Sequence, residues 1–248
     1  MDSDQLIESQ AEPGSLTAGI QEFVFFRSSI FSDLKIISKD QEFKVHRLII
    51  CGQSAYFARL FNHNWKEVEE SVVRLEDDDP RAVEAMINFL YGFDYNSIGR
   101  DRERVSPMLF HAKVYQVGDK YDVPKLKEQA RTEFAAAIQT DWDMDDFPLA
   151  IAGAYSTTPS GDRGLRDPLV DTSLGNISAL LEKEGFIQVL RETVGFAADL
   201  VQKQNNPSRM KRYRCLICCK EWEMLKSEFA NRCPFCGKRR DWEEFIVL

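Results

Sequence analysis

Five of the six cysteines in this 248-residue chain crowd between positions 215 and 236. Four of them form two pairs of identical spacing: Cys215-Leu216-Ile217-Cys218, then fourteen residues, then Cys233-Pro234-Phe235-Cys236-Gly237. Two residues between cysteines make a tight turn whose amides point at the sulfurs. Two such turns can set four thiolates at the corners of a tetrahedron, the geometry Zn(II) takes in closed structural sites. Gly237 supplies the left-handed backbone that ends the second turn. Cys219 stands where the first turn would carry Gly, which either alters that turn or lets Cys219 compete with Cys218 as a ligand. Iron could occupy the same four-sulfur site, but nothing else in the sequence points to electron transfer, so zinc is the expected ion. Disulfides are the poorer alternative, since paired cysteines in a chain without a secretion signal are kept reduced.

A saturated four-cysteine site has no open position for water or substrate, so its expected work is folding. Residues 207–248 offer few large side chains to bury, among them Tyr213, Trp222, Phe229, Phe235 and Trp242, too few for an independent core. Structural zinc can make up the difference, at on the order of 10 kcal/mol. Charge also sets this segment apart: it holds 10 Lys and Arg against 6 Asp and Glu in a chain whose net charge is -8. Arg212 and Arg214 ahead of the first pair, and Lys238, Arg239 and Arg240 after the second, could contact phosphates. They could equally dock the segment on the acidic remainder of the chain or on a protein partner.

Ahead of the cysteines lie the elements that give the chain its bulk. Leu34 and Ile36, then Phe43 and Val45, are apolar residues two apart with a polar turn at Ser38 to Gln41, the pattern of an antiparallel hairpin. From His46 the spacing changes to three and four, through Leu48, Ile49, Cys51, Tyr56, Phe57, Leu60 and Phe61, with Ser54 placed to cap a second short helix. Phe110, Val114, Val117 and Tyr121, and after Pro124 Leu126, Ala130, Phe134 and Ile138, mark two core-facing helices. Beyond Asp141, another helix is expected around Phe147 to Tyr155. A single apolar stripe then runs from Leu174 through Gly185 to Val201 and stops before Pro207.

The order of these motifs, from Ser32-Asp33-Leu34 through Phe43-Lys44-Val45-His46-Arg47, Ser54-Ala55-Tyr56-Phe57 and Phe89-Leu90-Tyr91 to His111-Ala112-Lys113-Val114-Tyr115 and Gly118 to Pro124, resembles a BTB/POZ domain. The segment Asp162 to Asp167 with the helices after it is similar to the helical extension behind BTB domains in many fungal proteins, and the cysteine segment resembles zinc ribbons and, more distantly, rubredoxins. The resemblance implies an α+β class, with the family's third strand at Val73 to Leu75 and its third helix from Met86 to Tyr91. The expected layout is an acidic disordered tail over 1–19, a BTB/POZ domain over 20–139, a helical extension over 140–206 and a zinc ribbon over 207–248.

The resemblance also carries candidate contact residues. Asp33 and Arg47 stand where the family often has a charged pair near its dimer face; the alternative is an aspartate capping a turn and an arginine lying on the surface. At the place of Trp65-Lys66-Glu67, BTB adaptors of cullin-type ubiquitin ligases carry an apolar residue, any residue, then Glu. The apolar side chain enters a pocket on the cullin. Trp65 meets that chemical requirement with a larger residue than the family usually has, unless it folds back on the second helix.

Catalysis finds little footing. His46, His63 and His111 fall at family positions or in loops, Cys51 reads as a small buried apolar residue, and no phosphate-binding glycine loop or metal-hydrolase motif occurs. The N-terminus lacks the basic and apolar regions of a secretion signal, and no run of 18 apolar residues exists. The expectation is therefore a non-enzymatic intracellular protein, cytoplasmic or nuclear, that self-associates or binds partners through its BTB domain. A role as substrate adaptor of a cullin-based ligase is implied by the resemblance, with nucleic-acid binding through the basic ribbon as the alternative.

Overall fold

The computed structural model describes residues 31–62, 70–96, 106–205, 210–225, 233 and 235–238, with backbone alone at 210–213 and 222–225. The chain divides into two compact units, residues 1–169 and 170–248.

The first unit is built on a three-stranded sheet of order β2-β1-β3. In β1 (Leu34–Ser38) alternate residues are buried, placing Leu34, Ile36 and Ser38 on the core face. β1 pairs antiparallel with β2 (Gln41–Val45), from Leu34 opposite Val45 to Ser38 opposite Gln41, so the expected hairpin is present with Lys39 and Asp40 as its turn. Lys39 enters the left-handed region there, at φ 48. β3 (Val72–Arg74) joins the other side of β1 in parallel, bracketed by bonds from Lys35 N–H to Ser71 O (3.0 Å) and from Leu75 N–H to Ile37 O (2.7 Å).

Between β2 and β3 run α1 (Arg47–Gln53) and α2 (Ala55–Phe61). Ser54 caps α2 as expected: its Oγ accepts from Phe57 N–H at 3.2 Å and donates to Tyr121 O at 2.6 Å, fixing the start of α2 against the far end of the domain. Phe57, fully buried, stacks on Tyr121 with ring centroids 5.5 Å apart, and the Tyr121 hydroxyl donates to Asp78. α3 (Pro80–Leu90) begins at Pro80, earlier than the expected Met86. The reason is local: Asp79 Oδ1 accepts from Arg81 N–H at 3.0 Å, and Pro80 fills the first helical position, where its missing N–H costs nothing.

α4 (Pro107–Lys120) and α5 (Pro124–Asp141) pack along each other, so closely that a Cβ on Gly118 would stand 2.9 Å from the backbone N of Lys127. α5 crosses residue 139, and α6 (Asp146–Thr157) packs on α4, so the first compact unit continues past the span read as the BTB/POZ domain. The loop after α6 is tied to the same helices. Asp162 accepts from Tyr115 (2.6 Å), Lys127 (2.8 Å) and Gly164 N–H (3.0 Å). Burial pushes the Asp162 carboxyl upward, but the bonds from Lys127 and Tyr115 outweigh it and hold the group below its usual range.

Past α7 (Arg166–Gly175), the single expected stripe is replaced by three short helices, α8 (Ile177–Leu180), α9 (Glu184–Glu192) and α10 (Val194–Gln204). Gly185 lies inside α9, but Thr193 leaves the helical region at φ -105 and ψ 76 and resets the phase. Phe186, Val189, Phe196 and Leu200 form the buried face, whereas Leu181, Val194 and Val201, placed on the stripe by spacing alone, are exposed. Finally β4 (Met210–Arg214) and β5 (Glu221–Leu225) pair antiparallel as a separate two-stranded sheet. Among the described residues, no helix is long and apolar enough to cross a membrane.

Candidate metal centre

The β4–β5 pairing runs from Met210 opposite Leu225 to Arg214 opposite Glu221, so the first cysteine turn is the tip of this hairpin. There Cys215 N–H donates to Lys220 O (2.9 Å) and Cys219 N–H to Cys215 O (2.8 Å). The second turn repeats the pattern at the same offsets, Cys233 N–H to Lys238 O (2.9 Å) and Gly237 N–H to Cys233 O (2.9 Å). The residue that ends each turn is left-handed, Cys219 at φ 57 and Gly237 at φ 67. The first turn therefore keeps its shape without glycine, at the cost of a β-carbon in a region that disfavours one.

The turns bring four sulfurs together. Those of Cys215, Cys218, Cys233 and Cys236 all lie within 4.8 Å of one another, with Cys215 Sγ 3.7 Å from Cys236 Sγ and Cys218 Sγ 3.7 Å from Cys233 Sγ. A tetrahedral thiolate site with zinc–sulfur bonds of about 2.3 Å requires sulfurs about 3.8 Å apart, so the set fits such an ion with little adjustment. Cys219 stands outside this group of four and is exposed. Amides face the sulfurs as the spacing implies: Phe235 N–H donates to Cys233 Sγ at 3.4 Å. The backbone N–H of Cys218 does most to pull the Cys215 thiol down to about 6, with Ile217 N–H adding to it against the opposing effect of burial. The Lys220 N–H lowers the Cys218 thiol and the Lys238 N–H that of Cys236, but burial and the neighbouring sulfurs leave both raised. A site with all four positions taken by sulfur can hold a metal but leaves it no place for substrate.

Replacing Cys219 by glycine removes the strained β-carbon while keeping the four ligands, so Cys219→Gly is expected to hold metal more tightly. A left-handed residue other than glycine costs about 1–2 kcal/mol, part of which is returned through the looser unfolded chain, leaving a gain of about threefold or more in competition against a zinc chelator.

One expectation fails here. Phe235, counted among the residues that would fill the core of this module, is 53% exposed. It serves the turn through its amide, which donates to Cys233 Sγ, and the amide geometry of the turn is the signal that identifies it. Leu216 and Ile217 in the first turn are 65% and 48% exposed.

The remaining candidates are placed unevenly. Asp33 Oδ1 accepts the N–H of Arg47 at 2.8 Å, capping α1, which has no side-chain cap of its own from His46. The Arg47 guanidinium donates to Ser71 Oγ at 2.7 Å and lies over the Phe61 ring at 4.7 Å. Trp65 and Glu67 lie outside the described residues, as do Arg239, Arg240, the side chain of Arg212 and the tail over 1–19. Arg214 and Lys238 are exposed, Arg214 lying 3.9 Å from Glu221.

Comparison with known proteins adds the following. Residues 24–136 match the BTB/POZ domain family. The human Kelch repeat and BTB domain-containing protein 4 is 24% identical over 132 residues, which cover 53% of this chain and 23% of that protein. Kelch repeat and BTB domain-containing protein 1 of cowpox virus is 32% identical over 94 residues, covering 38% of this chain and 16% of that protein. A BTB/POZ domain-containing protein of Arabidopsis thaliana is 24% identical over 178 residues, covering 70% of this chain and 78% of that protein. The chain thus spans under a quarter of the human and cowpox kelch proteins.

Proposed function

From a chain that carries a BTB/POZ domain over residues 24–136, we propose a non-enzymatic adaptor that works inside the cell, self-associating or binding a protein partner through that domain, with a cullin-type ubiquitin-ligase scaffold as the partner. The observation that carries this is the match itself, together with a described sheet and helices that follow the expected order. Two kelch-and-BTB relatives support an interaction module. Neither the relatives nor the placement of Arg214 and Lys238 lends support to nucleic-acid binding. The helices after residue 166 are assigned to a fungal-type extension. The four-cysteine centre is assigned structural zinc, which supplies no chemistry beyond holding Cys215, Cys218, Cys233 and Cys236 together.

Trp65 is the anchor and Glu67 the flanking charge in this assignment, with Asp33 and Arg47 near a dimer face. Aromatic anchors at the centre of an interface are worth about 2 kcal/mol or more, so Trp65→Ala is expected to weaken capture by purified cullin about thirtyfold or more. Glu67→Ala should weaken it less, and neither should move the thermal midpoint by more than about 2 °C. Capture unchanged in both variants removes the cullin assignment. Light scattering then decides whether the domain still self-associates.

A further inference from the structure

We propose that the outer face of the two cysteine turns is a docking surface for an acidic polypeptide segment carrying an apolar anchor. Single exposed apolar side chains are ordinary on protein surfaces. Here Leu216, Ile217 and Phe235, exposed by 65%, 48% and 53%, sit on two turns whose sulfurs lie within 4.8 Å of one another. Ile217 and Phe235 hold the same position in their respective turns. Lys220 of the first turn reaches across to the second, its Nζ 4.9 Å from the centroid of the Phe235 ring.

Charge says what covers this face. Lys220 and Lys238 occupy equivalent offsets in the two turns, each with its carbonyl bonded to the leading cysteine N–H, and both are exposed, as is Arg214. Among the described residues of the two turns and the strand ends beside them, Glu221 is the one acidic side chain set against those three cations. Exposed apolar side chains on two turns that also carry these exposed cations complement an apolar anchor flanked by carboxylates. A single-stranded nucleic acid would use Phe235 alone for stacking; the aliphatic Leu216 and Ile217 offer a base no such platform and favour a side-chain anchor.

The surface rests on the assignment of a metal-held fold to these turns, and the test separates the two. The zinc-loaded full chain is titrated against a short fluorescein-labelled peptide with a central Leu-Phe flanked by Asp and Glu. Control probes carry Lys in place of the acids, Ser in place of Leu-Phe, or are a short oligothymidylate. Saturable binding of the acidic apolar peptide is expected, weakened about tenfold or more by Phe235→Ser or Ile217→Ser, as for an anchor pocket. Lys220→Glu with Lys238→Glu should also weaken it, with zinc content unchanged in every variant. Absence of binding by a zinc-loaded chain, equal binding of the basic peptide, indifference to these substitutions, or binding of the oligonucleotide alone overturns the proposal. A chain that takes up no metal yet binds the peptide through these residues upholds the surface and removes the metal assignment.

Discussion

Stripped of metal by a chelator, the full chain is expected to lose amide protection at residues 210–225, 233 and 235–238 while the helices and sheet of the first unit keep theirs. The hairpin of β4 and β5 is two-stranded, and a two-stranded hairpin is marginal in water. The buried side chains described in and around the two turns are Cys215 and Cys233, 0% and 1% exposed, and these are metal-ligand candidates themselves. Without a cation, four sulfurs within 4.8 Å repel one another as thiolates or lose that geometry as thiols. Structural zinc contributes about 10 kcal/mol or more to modules of this kind, far beyond what the hairpin bonds can replace. Hydrogen exchange before and after chelation measures the loss, and Cys236→Ser should reproduce it without chelator. Metal analysis and the visible spectrum read the identity of the ion, since an iron site of this type is coloured and a zinc site is not. Protection surviving complete metal removal would show that the fold of this segment is carried by something else.

Gly164→Ala is expected to produce the largest loss of stability in the first unit. A Cβ at that position would stand 2.1 Å from the Tyr115 hydroxyl oxygen and 2.7 Å from Cζ. Tyr115 is 2% exposed and has little room to withdraw: its hydroxyl donates to Asp162 at 2.6 Å, and Lys127 Nζ lies 4.8 Å from its ring centroid. Moving the ring breaks the bond to Asp162 and disturbs the contact that joins the loop after α6 to α4 and α5. A cost of about 2–4 kcal/mol is expected in urea unfolding, in the range of overpacked and unpaired buried sites. Tyr115→Phe alone should cost about 1.5–3 kcal/mol for the lost hydrogen bond to a charged group. Combined with Gly164→Ala it should cost less than the sum, because removing the hydroxyl relieves the closest approach. Strict additivity of the two changes would show that they do not act through one contact.

What could be read from the residues divides along the range of the interactions involved. The cysteine turns were legible because spacing and a few local amides dictate them, and the same holds for the Lys39-Asp40 hairpin and the Ser54 cap. The start of α3 was also local in origin, an aspartate followed by proline, and was missed although Ala82, Val83 and Ala85 already belong to its buried face. The stripe from Leu174 to Val201 failed for a different reason: its spacing is compatible with one continuous helix, and one non-helical residue at Thr193 is enough to turn Val194 and Val201 outward. Contacts between distant segments left no trace in pattern. A capping role for Asp33 was one of two open readings, but nothing in the spacing announces that it takes the N–H that opens α1, or that the glycine at 164 is where a tyrosine at 115 must fit.

The parallel pairing of β1 with β3 bears on the order in which the domain assembles. β1 and β2 are joined by two residues and can zip together within microseconds, whereas the register of Lys35 with Val72 needs the intervening chain to be gathered first. Closing so long a loop has an entropic cost that pairing of a three-residue strand does little to repay. β3 is therefore expected to dock late, after α1 and α2 have condensed on the hairpin. Substitutions in those two helices should slow refolding, while substitutions in β3 should act mainly by hastening unfolding.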